Sequence, residues 1–261
     1  MTRKPFAALP AIPALLLAAA LLSGAAPADK PVVVCPLKPD PPPVIDGDRR
    51  EWDALPGAMT VGDANLTWGR AQYRGEEDLS GTVMVCYDAN YLYLLADVVD
   101  DKIVPTDGKS IFSCDHVELT FAPVYRDGMR GPRPADWRVI GFGPGSVELT
   151  GDPLSDFEPE AAGVFPPNLD TSGIDVGASI TEEGYVLEAR IPWKVLGVKG
   201  PVKPGMVFGI DVHLSDSDNA AVQESMTSLN PVPWKGRRQE NILKMVLTGT
   251  DGKLPQPEPG R

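Results

Sequence analysis

Carboxylates are the most abundant side chains able to do chemistry in this sequence, whereas histidines are rare. The chain has 36 Asp and Glu residues but two His, His116 and His213, and both lie in strand-like patterns. A glycosidase needs two carboxylates across a sugar, but the sequence alone pairs none of them. Gly-x-Ser-x-Gly, His-Glu-x-x-His and phosphate-loop motifs are absent. We therefore expect a non-catalytic protein and assign no catalytic residue.

Two acidic clusters supply the hard oxygen ligands that calcium prefers. One is the stretch from Asp97 to Asp101, and the other is Asp216-Ser217-Asp218-Asn219. Neither cluster follows a strict calcium-loop pattern, and acidic loops are more often simply solvated. The sequence therefore leaves the metal ligands unknown.

Short strands are the elements that must position these side chains. Alternating runs at residues 83–87 and 92–98 flank the turn-forming Asp88-Ala89-Asn90 and predict a β-hairpin. The second run is apolar on both faces, which is typical of a central strand. In the strand from His116 to Phe121, alternate apolar residues face the core and leave Glu118 on the opposite, available face.

The rest of the chain is also predicted to consist of short strands joined by turns and loops. A second hairpin is predicted from residues 174–180 and 185–191, and no segment shows a helical period over ten or more residues. The fold class we predict is all-β, an antiparallel β-sandwich or jelly roll with long loops. We expect Trp52 and Trp193 to pack in the core. The segments expected to be irregular are residues 57–80, 151–173 and 215–240.

The N-terminal segment has the features of an export signal. Arg3 and Lys4 precede an apolar run from Ala14 to Leu22 that is shorter than the ~20 residues of a membrane span, and small residues lie before Asp29. We predict a signal peptide at 1–28, one β-sandwich domain at 29–248 and a disordered Pro-rich tail at 249–261. The mature protein is then secreted or periplasmic and has no membrane span.

The net charge limits the class of ligand, and the cysteine content allows one disulfide. The net charge of −12 disfavours nucleic acid, whose binding depends on Lys and Arg, and is compatible with a neutral ligand such as a sugar. In an exported protein, two of the three cysteines can pair. Our prediction is a disulfide between Cys35 and Cys86, which leaves Cys114 free; three reduced thiols are the alternative.

The order of several short motifs resembles the family 9 carbohydrate-binding modules. The resemblance covers nearly all of the predicted mature chain. It implies a β-sandwich with calcium ions in a structural role, and many members are appended to plant-polysaccharide hydrolases. The motifs are Val44-Ile45-Asp46-Gly47 with Glu51-Trp52, Tyr87-Asp88, Tyr91-Leu92-Tyr93, Asp115-His116-Val117-Glu118-Leu119, Glu188-Ala189-Arg190-Ile191-Pro192-Trp193, Phe208-Gly209-Ile210-Asp211-Val212 and Trp234.

The resemblance also implies a site for a mono-, oligo- or polysaccharide. In the family the sugar lies between two Trp rings, whose positions correspond to Phe112 and Trp234 in this chain. The sugar-contacting Glu and Arg correspond to Glu118 and Arg138, and the loop Asn to Asn230. This site is chemically plausible because apolar sugar faces stack on aromatic rings, while hydroxyls need charged, bidentate partners.

Two alternative interpretations remain open at this point. One is a structural or assembly protein of the cell envelope, with a protein partner, that keeps the sandwich but has lost the sugar site. The other is a haem-binding electron-transfer domain of related fold. Its candidate ligands are His116, His213, Met129 and Met226.

Overall fold

Strands make up most of the regular structure. The computed structural model describes residues 30–105, 110–126, 135–147, 157–219, 222–232 and 242–255, so the predicted signal peptide lies outside the described residues. Within these ranges no helix is long and apolar enough to cross a membrane. The strands are β1 Val32–Cys35, β2 Met59–Val61, β3 Leu66–Trp68, β4 Ser80–Tyr87, β5 Tyr91–Val99, β6 His116–Ala122, β7 Arg138–Val147, β8 Phe157–Phe165, β9 Asp175–Ile180, β10 Gly184–Pro192, β11 Val207–Asp216, β12 Ser225–Ser228 and β13 Leu243–Leu247; the 3-10 turns are Arg49–Trp52, Asp63–Asn65 and Ile111–Ser113.

The strands form two sheets. The eight-stranded sheet has the order β1-β13-β11-β6-β7-β8, with β12 joined to β11 and β3 to β12. The five-stranded sheet has the order β2-β4-β5-β10-β9. The strands pair antiparallel except for β1 with β13. The predicted all-β sandwich is confirmed, and β5 has the central position expected from its two apolar faces.

The main core lies between the two sheets. It collects the inward side chains of both, including Leu94 and Leu187 of the small sheet and Leu119 and Val212 of the large one. Trp193 is stacked on a Phe ring in this core, as predicted, with ring centroids 5.5 Å apart.

Trp52 belongs to a second cluster, on the outside of the five-stranded sheet. Its indole nitrogen donates to buried Glu188 at 2.6 Å, and the same carboxylate accepts from the amides of Asp46 and Gly47. The prediction of a buried Trp52 is therefore confirmed, and Glu188 explains how the N-terminal motif is fixed to the sheet.

The prediction of irregular structure over 57–80, 151–173 and 215–240 is partly wrong, because these segments contain β2, β3, β8 and β12. Three of the four strands have three or four residues, which is too short for an alternating pattern to be visible. The fourth, β8, is an edge strand beside β7, where Pro159 is tolerated because one side of the strand needs no ladder bonds.

The predicted disulfide between Cys35 and Cys86 is corrected by the structure, in which all three cysteines are buried free thiols. Cys35 packs in the core between the sheets together with Tyr87. Cys86 precedes Tyr87 on β4 and therefore points the opposite way, into the cluster around Trp52. The two thiols thus belong to different packing clusters and do not bond.

Candidate functional site

The outer face of the eight-stranded sheet carries three neighbouring charged residues, Glu118, His213 and Asp211, which we call the charged floor. On the neighbouring strands β6 and β11, Glu118 lies directly opposite His213, and such paired residues share a face. Because Leu119 and Val212 belong to the core, Glu118, His213 and Asp211 point away from it, as the sequence predicted for Glu118.

His213 lies between two carboxylates. Its Nδ1 atom is 3.3 Å from Glu118 Oε1, and its Nε2 atom is 3.5 Å from Asp211 Oδ2. Burial by itself would lower the pKa of His213, but Asp211 and Glu118 outweigh it and raise this pKa to about 9. His213 is therefore protonated at neutral pH and links the two acids.

Asp211 is held by several donors besides His213. Its Oδ1 atom accepts from Ser228 Oγ at 2.9 Å and from the backbone amides of Val212 at 3.0 Å and Asn230 at 3.2 Å. Burial raises the pKa of Asp211 to about 6, with His213 and these donors opposing the rise. Asn230, predicted to contact sugar, is thereby fixed beside the charged floor and is itself buried.

Phe112 lies at the rim of the same face. It sits on the 3-10 turn before β6, is 40% exposed, and packs edge-on against the ring of His116 at 5.6 Å between centroids. The turn is anchored by Ile111, which packs on β7 where Gly141 has no side chain; a Cβ there would lie 2.8 Å from Ile111 Cδ1. Gly141 also lies opposite Glu118, so the Ile111 side chain fills the space beside this carboxylate.

Arg138 does not belong to this site, which corrects the prediction. It pairs with Phe121 across β6 and β7, on the core-facing side of the sheet, whereas Glu118 is on the outer side. Its guanidinium donates to the carbonyl oxygens of Val195 at 3.2 Å and Asp136 at 2.7 Å. The Arg138 side chain thus ties β7 to the turn after β10.

Three of the five predicted sugar-binding residues, Phe112, Glu118 and Asn230, lie at the outer face of the eight-stranded sheet. They contact His116, His213 and Asp211, respectively. Arg138 lies on the other face, and Trp234 is outside the described residues. The second aromatic ring of the site therefore stays a prediction.

The residues considered as haem ligands are largely engaged by other groups. His116 is buried, its Nδ1 atom is 2.8 Å from the carbonyl oxygen of Cys114, and burial lowers its pKa. His213 is the residue between the two acids. Met226 is buried on β12, and Met129 lies outside the described residues.

A second cluster, of buried carboxylates, lies at one end of the sandwich. Asp100, Asp115 and Asp216 each offer an oxygen within 4.8 Å of the others, and Asp216 also forms such a group with Asp78 and Asp218. Asp100 follows β5, Asp115 precedes β6 and Asp216 ends β11. The cluster therefore joins both sheets, and it unites members of the two acidic stretches that the sequence singled out.

These carboxylates repel one another in a poorly solvated place. Burial and neighbouring charges raise the pKa of Asp115 to about 9, of Asp216 to about 7 and of Asp100 to about 6. The buried atoms Asp100 Oδ2 and Asp216 Oδ1 have no hydrogen-bond donor. Buried orphan oxygens that converge in this way fit a hard divalent cation such as Ca²⁺.

The acidic cluster is connected to the rim of the charged face. Asp115 accepts from the amide of Ser217 at 2.7 Å, and the one Ser217 hydroxyl hydrogen is shared between the carbonyl oxygens of Val222 at 2.8 Å and Ser113 at 3.2 Å. Ser113 closes the turn that carries Phe112. The order of this turn thus depends on the cluster.

The chain is a β-sandwich with a charged, aromatic outer face. Residues 45–127 match the family described as carbohydrate family 9 binding domain-like, and the resemblance predicted from the sequence is confirmed. Two solved structures of a family 9 carbohydrate-binding module from Caldicellulosiruptor kristjanssonii share the fold. At 16% identity, they cover 88% of this chain and 100% of theirs, with TM-scores of 0.57 for the cellotriose complex and 0.59 for the glucose complex.

Two curated relatives are much longer proteins. Exoglucanase XynX of Acetivibrio thermocellus is 23% identical over 209 residues, which are 79% of this chain and 16% of the relative. Endo-1,4-beta-xylanase A of Thermotoga maritima is 25% identical over 180 residues, which are 67% of this chain and 14% of the relative. The chain thus corresponds to a small part of each.

Sequence reasoning missed several residues of both clusters. Asp78 and Asp115 are separated in sequence from the acidic stretches considered as calcium ligands, and periodicity gives no sign that they converge. The link between His213 and Glu118 depends on the register of β6 and β11, which the sequence does not fix. The alternation in both strands could have shown that the two side chains face away from the core.

Proposed function

We propose that this chain is an exported, non-catalytic carbohydrate-binding module that binds saccharides on the outer face of its eight-stranded sheet. The observation that carries the proposal is the exposed Phe112 ring beside the charged pair of Glu118 and His213. A sugar ring can stack on Phe112, while its hydroxyls donate to Glu118 and accept from the Asn230 amide group. The family resemblance assigns the second stacking ring to Trp234, and this assignment is part of the proposal.

The comparisons support β-linked plant polysaccharide as the ligand class. The solved family 9 structures are complexes with cellotriose and glucose. The curated relatives are an exoglucanase and a xylanase. A binding module brings such enzymes to their polymer, so we propose that this chain works outside the cytoplasm, alongside a polysaccharide hydrolase.

The test is isothermal calorimetry with glucose, cellotriose and xylotriose, followed by a glycan array. Glu118→Gln keeps the shape but removes the charge that accepts from two hydroxyls, so affinity should fall about tenfold or more, which corresponds to ~1.4 kcal/mol. Trp234→Ala should abolish the change of tryptophan fluorescence on glucose binding. Glu182→Gln, at an exposed turn between β9 and β10, is the matched control.

The alternative function makes the opposite prediction. If no glycan on the array is bound and the three variants behave like the wild type, a saccharide site is refuted. Capture of a defined envelope protein by the same purified chain would then favour an assembly role.

We further propose that the carboxylate cluster holds a structural calcium ion. Asp100, Asp115 and Asp216 would coordinate it, and its charge would relieve their mutual repulsion and join the two sheets. With the millimolar affinity of extracellular modules, 10 mM calcium should stabilise the fold by roughly 1–3 kcal/mol. For a domain of this size, this corresponds to an increase in melting temperature of about 3–10 °C.

Differential scanning fluorimetry with calcium or a chelator measures this shift. Asp216→Asn should remove it, while Asp175→Asn, an exposed carboxylate on β9, should keep it. Equal melting temperatures with calcium and with chelator would refute the calcium site without affecting the saccharide site.

A further inference from the structure

The exposed aromatic rings of the described residues lie on one face of the molecule. Among the exposed large hydrophobic side chains of these residues, two are aromatic: Phe112, which is 40% exposed, and Trp68, which is 43% exposed. A single exposed apolar residue is normal on a protein surface. The position of Trp68 relative to Phe112 is what indicates a role in ligand binding.

Trp68 stands in line with the rim of the proposed saccharide site. Across the sheet, His116 pairs with Ser215, Ser215 with Met226, and Met226 with Trp68. Paired residues share a face, so Trp68 lies on the same outer face as His116. Phe112 packs against His116 at the other end of this line.

A β-bulge is what turns Trp68 outward. Leu66 pairs with Thr227 and packs against the core, whereas Trp68, two residues later, pairs with the very next residue along β12, Met226. In a regular strand Leu66 and Trp68 would share the core face. The irregular register therefore presents the indole to solvent.

The distance along the line exceeds one sugar ring. Three strand spacings of about 4.8 Å separate Trp68 from His116, so about 14 Å of sheet lies between the two ends. Between them Gln223 lies across the sheet and donates through Nε2 to Ser215 Oγ at 2.7 Å. The side chains along the line itself are buried, and the half-buried Gln223 amide is the polar group between the two exposed rings.

We propose that Trp68 is an additional stacking platform that extends the saccharide site, so that this chain takes a β-linked oligosaccharide in preference to a single sugar. The inference rests on the proposed function. Phe112 and Glu118 hold one sugar ring, and Trp68 contacts a later ring of the same ligand. Because sugar–aromatic stacking depends on the apolar ring face, the contribution of Trp68 should be absent for a monosaccharide.

Calorimetry with glucose and cellohexaose tests this assignment. The wild type should bind cellohexaose more tightly than glucose, and Trp68→Ala should lower the affinity for cellohexaose about tenfold, which is ~1.4 kcal/mol, without changing the affinity for glucose. Phe112→Ala should lower the affinity for both glucose and cellohexaose. Trp68→Phe, which restores a ring, should recover most of the loss, and Val222→Ala is a control at a nearby exposed apolar side chain without a ring.

Each outcome is decisive. A ratio of cellohexaose to glucose affinity that is the same in the wild type and in Trp68→Ala overturns the extension and leaves the proposed function standing. Absence of any saccharide binding by the wild type overturns both. Trp68→Thr, which suits a strand, repeats the comparison if thermal melting shows that Ala loosens β3.

Discussion

Deprotonation of His213 should weaken the fold in a defined pH range. In the folded protein its pKa is raised from 6.5 to about 9 by Asp211 and Glu118, against the effect of burial. The folded state therefore binds this proton more tightly than the unfolded state. The resulting stability is fully present below pH 6.5 and is lost as the pH rises through 9. One pKa unit corresponds to about 1.36 kcal/mol, so the contribution is on the order of 3 kcal/mol.

Urea unfolding at pH 6 and pH 10 measures this contribution. Replacement of His213 alone would leave the Asp211 carboxylate buried without its cation, which costs roughly 3–5 kcal/mol by itself. The better reference is therefore the double variant Asp211→Asn/His213→Gln, in which both charges are removed. Between the two pH values the wild type should lose about 3 kcal/mol more of its free energy of unfolding than this variant.

The same measurement can refute the reasoning. If the wild type and the double variant lose the same free energy between pH 6 and pH 10, His213 is not held as a cation by its two neighbours. NMR titration of the His213 ring gives an independent value, and a midpoint near 6.5 would contradict the ion pair directly. Saccharide affinity should decline over the same range because Glu118 loses a partner that orients it.

Two further predictions concern residues that position the binding face and the N-terminal motif. Glu188→Ala leaves the Trp52 indole and two backbone amides without an acceptor, so the free energy of unfolding should fall by about 3 kcal/mol or more. Urea unfolding followed by Trp fluorescence measures this loss, and a loss under ~1 kcal/mol would contradict the prediction. Gly141→Ala places a Cβ against Ile111, so it should cost about 1–3 kcal/mol and weaken saccharide binding by shifting the turn with Phe112; unchanged affinity for cellotriose would show that this turn is independent of Gly141.

The sequence predicts the main strands well for a physical reason. Five strands have seven or more residues each: β4, β5, β6, β10 and β11. A run of this length contains enough alternating apolar and polar residues for the pattern to be recognised in the sequence. A central strand such as β5 also needs apolar residues on both faces. The hairpins follow because short turn-forming segments join adjacent strands, and together these features specify the sandwich.

The candidate site is less predictable because it depends on register and on very short strands. Arg138 was assigned by its place beside an aromatic residue, but a shift of one residue in a strand moves a side chain to the opposite face of the sheet. Trp68 lies on a three-residue strand whose bulge reverses the expected alternation. The convergence of Asp78, Asp115 and Asp216 depends on loop closure between distant segments. None of these features leaves a periodic signal.

Cation binding and saccharide binding should be coupled in this protein. Asp115 and the turn Ile111–Ser113 share Ser217, which donates to both, so a cation that fixes Asp115 also orders the turn that presents Phe112.

Coupling between two binding sites is reciprocal: if calcium raises the affinity for cellotriose by some factor, cellotriose must raise the affinity for calcium by the same factor. Calorimetry in both directions measures the two factors, and coupling of about 1 kcal/mol would make each roughly fivefold. Ser217→Ala removes the hydroxyl bonds to Ser113 and Val222 but keeps the amide bond to Asp115, so calcium binding should persist while the coupling shrinks. Equal cellotriose affinities in calcium and in chelator, with calcium bound in the first case, would show that the two ends of this face act independently.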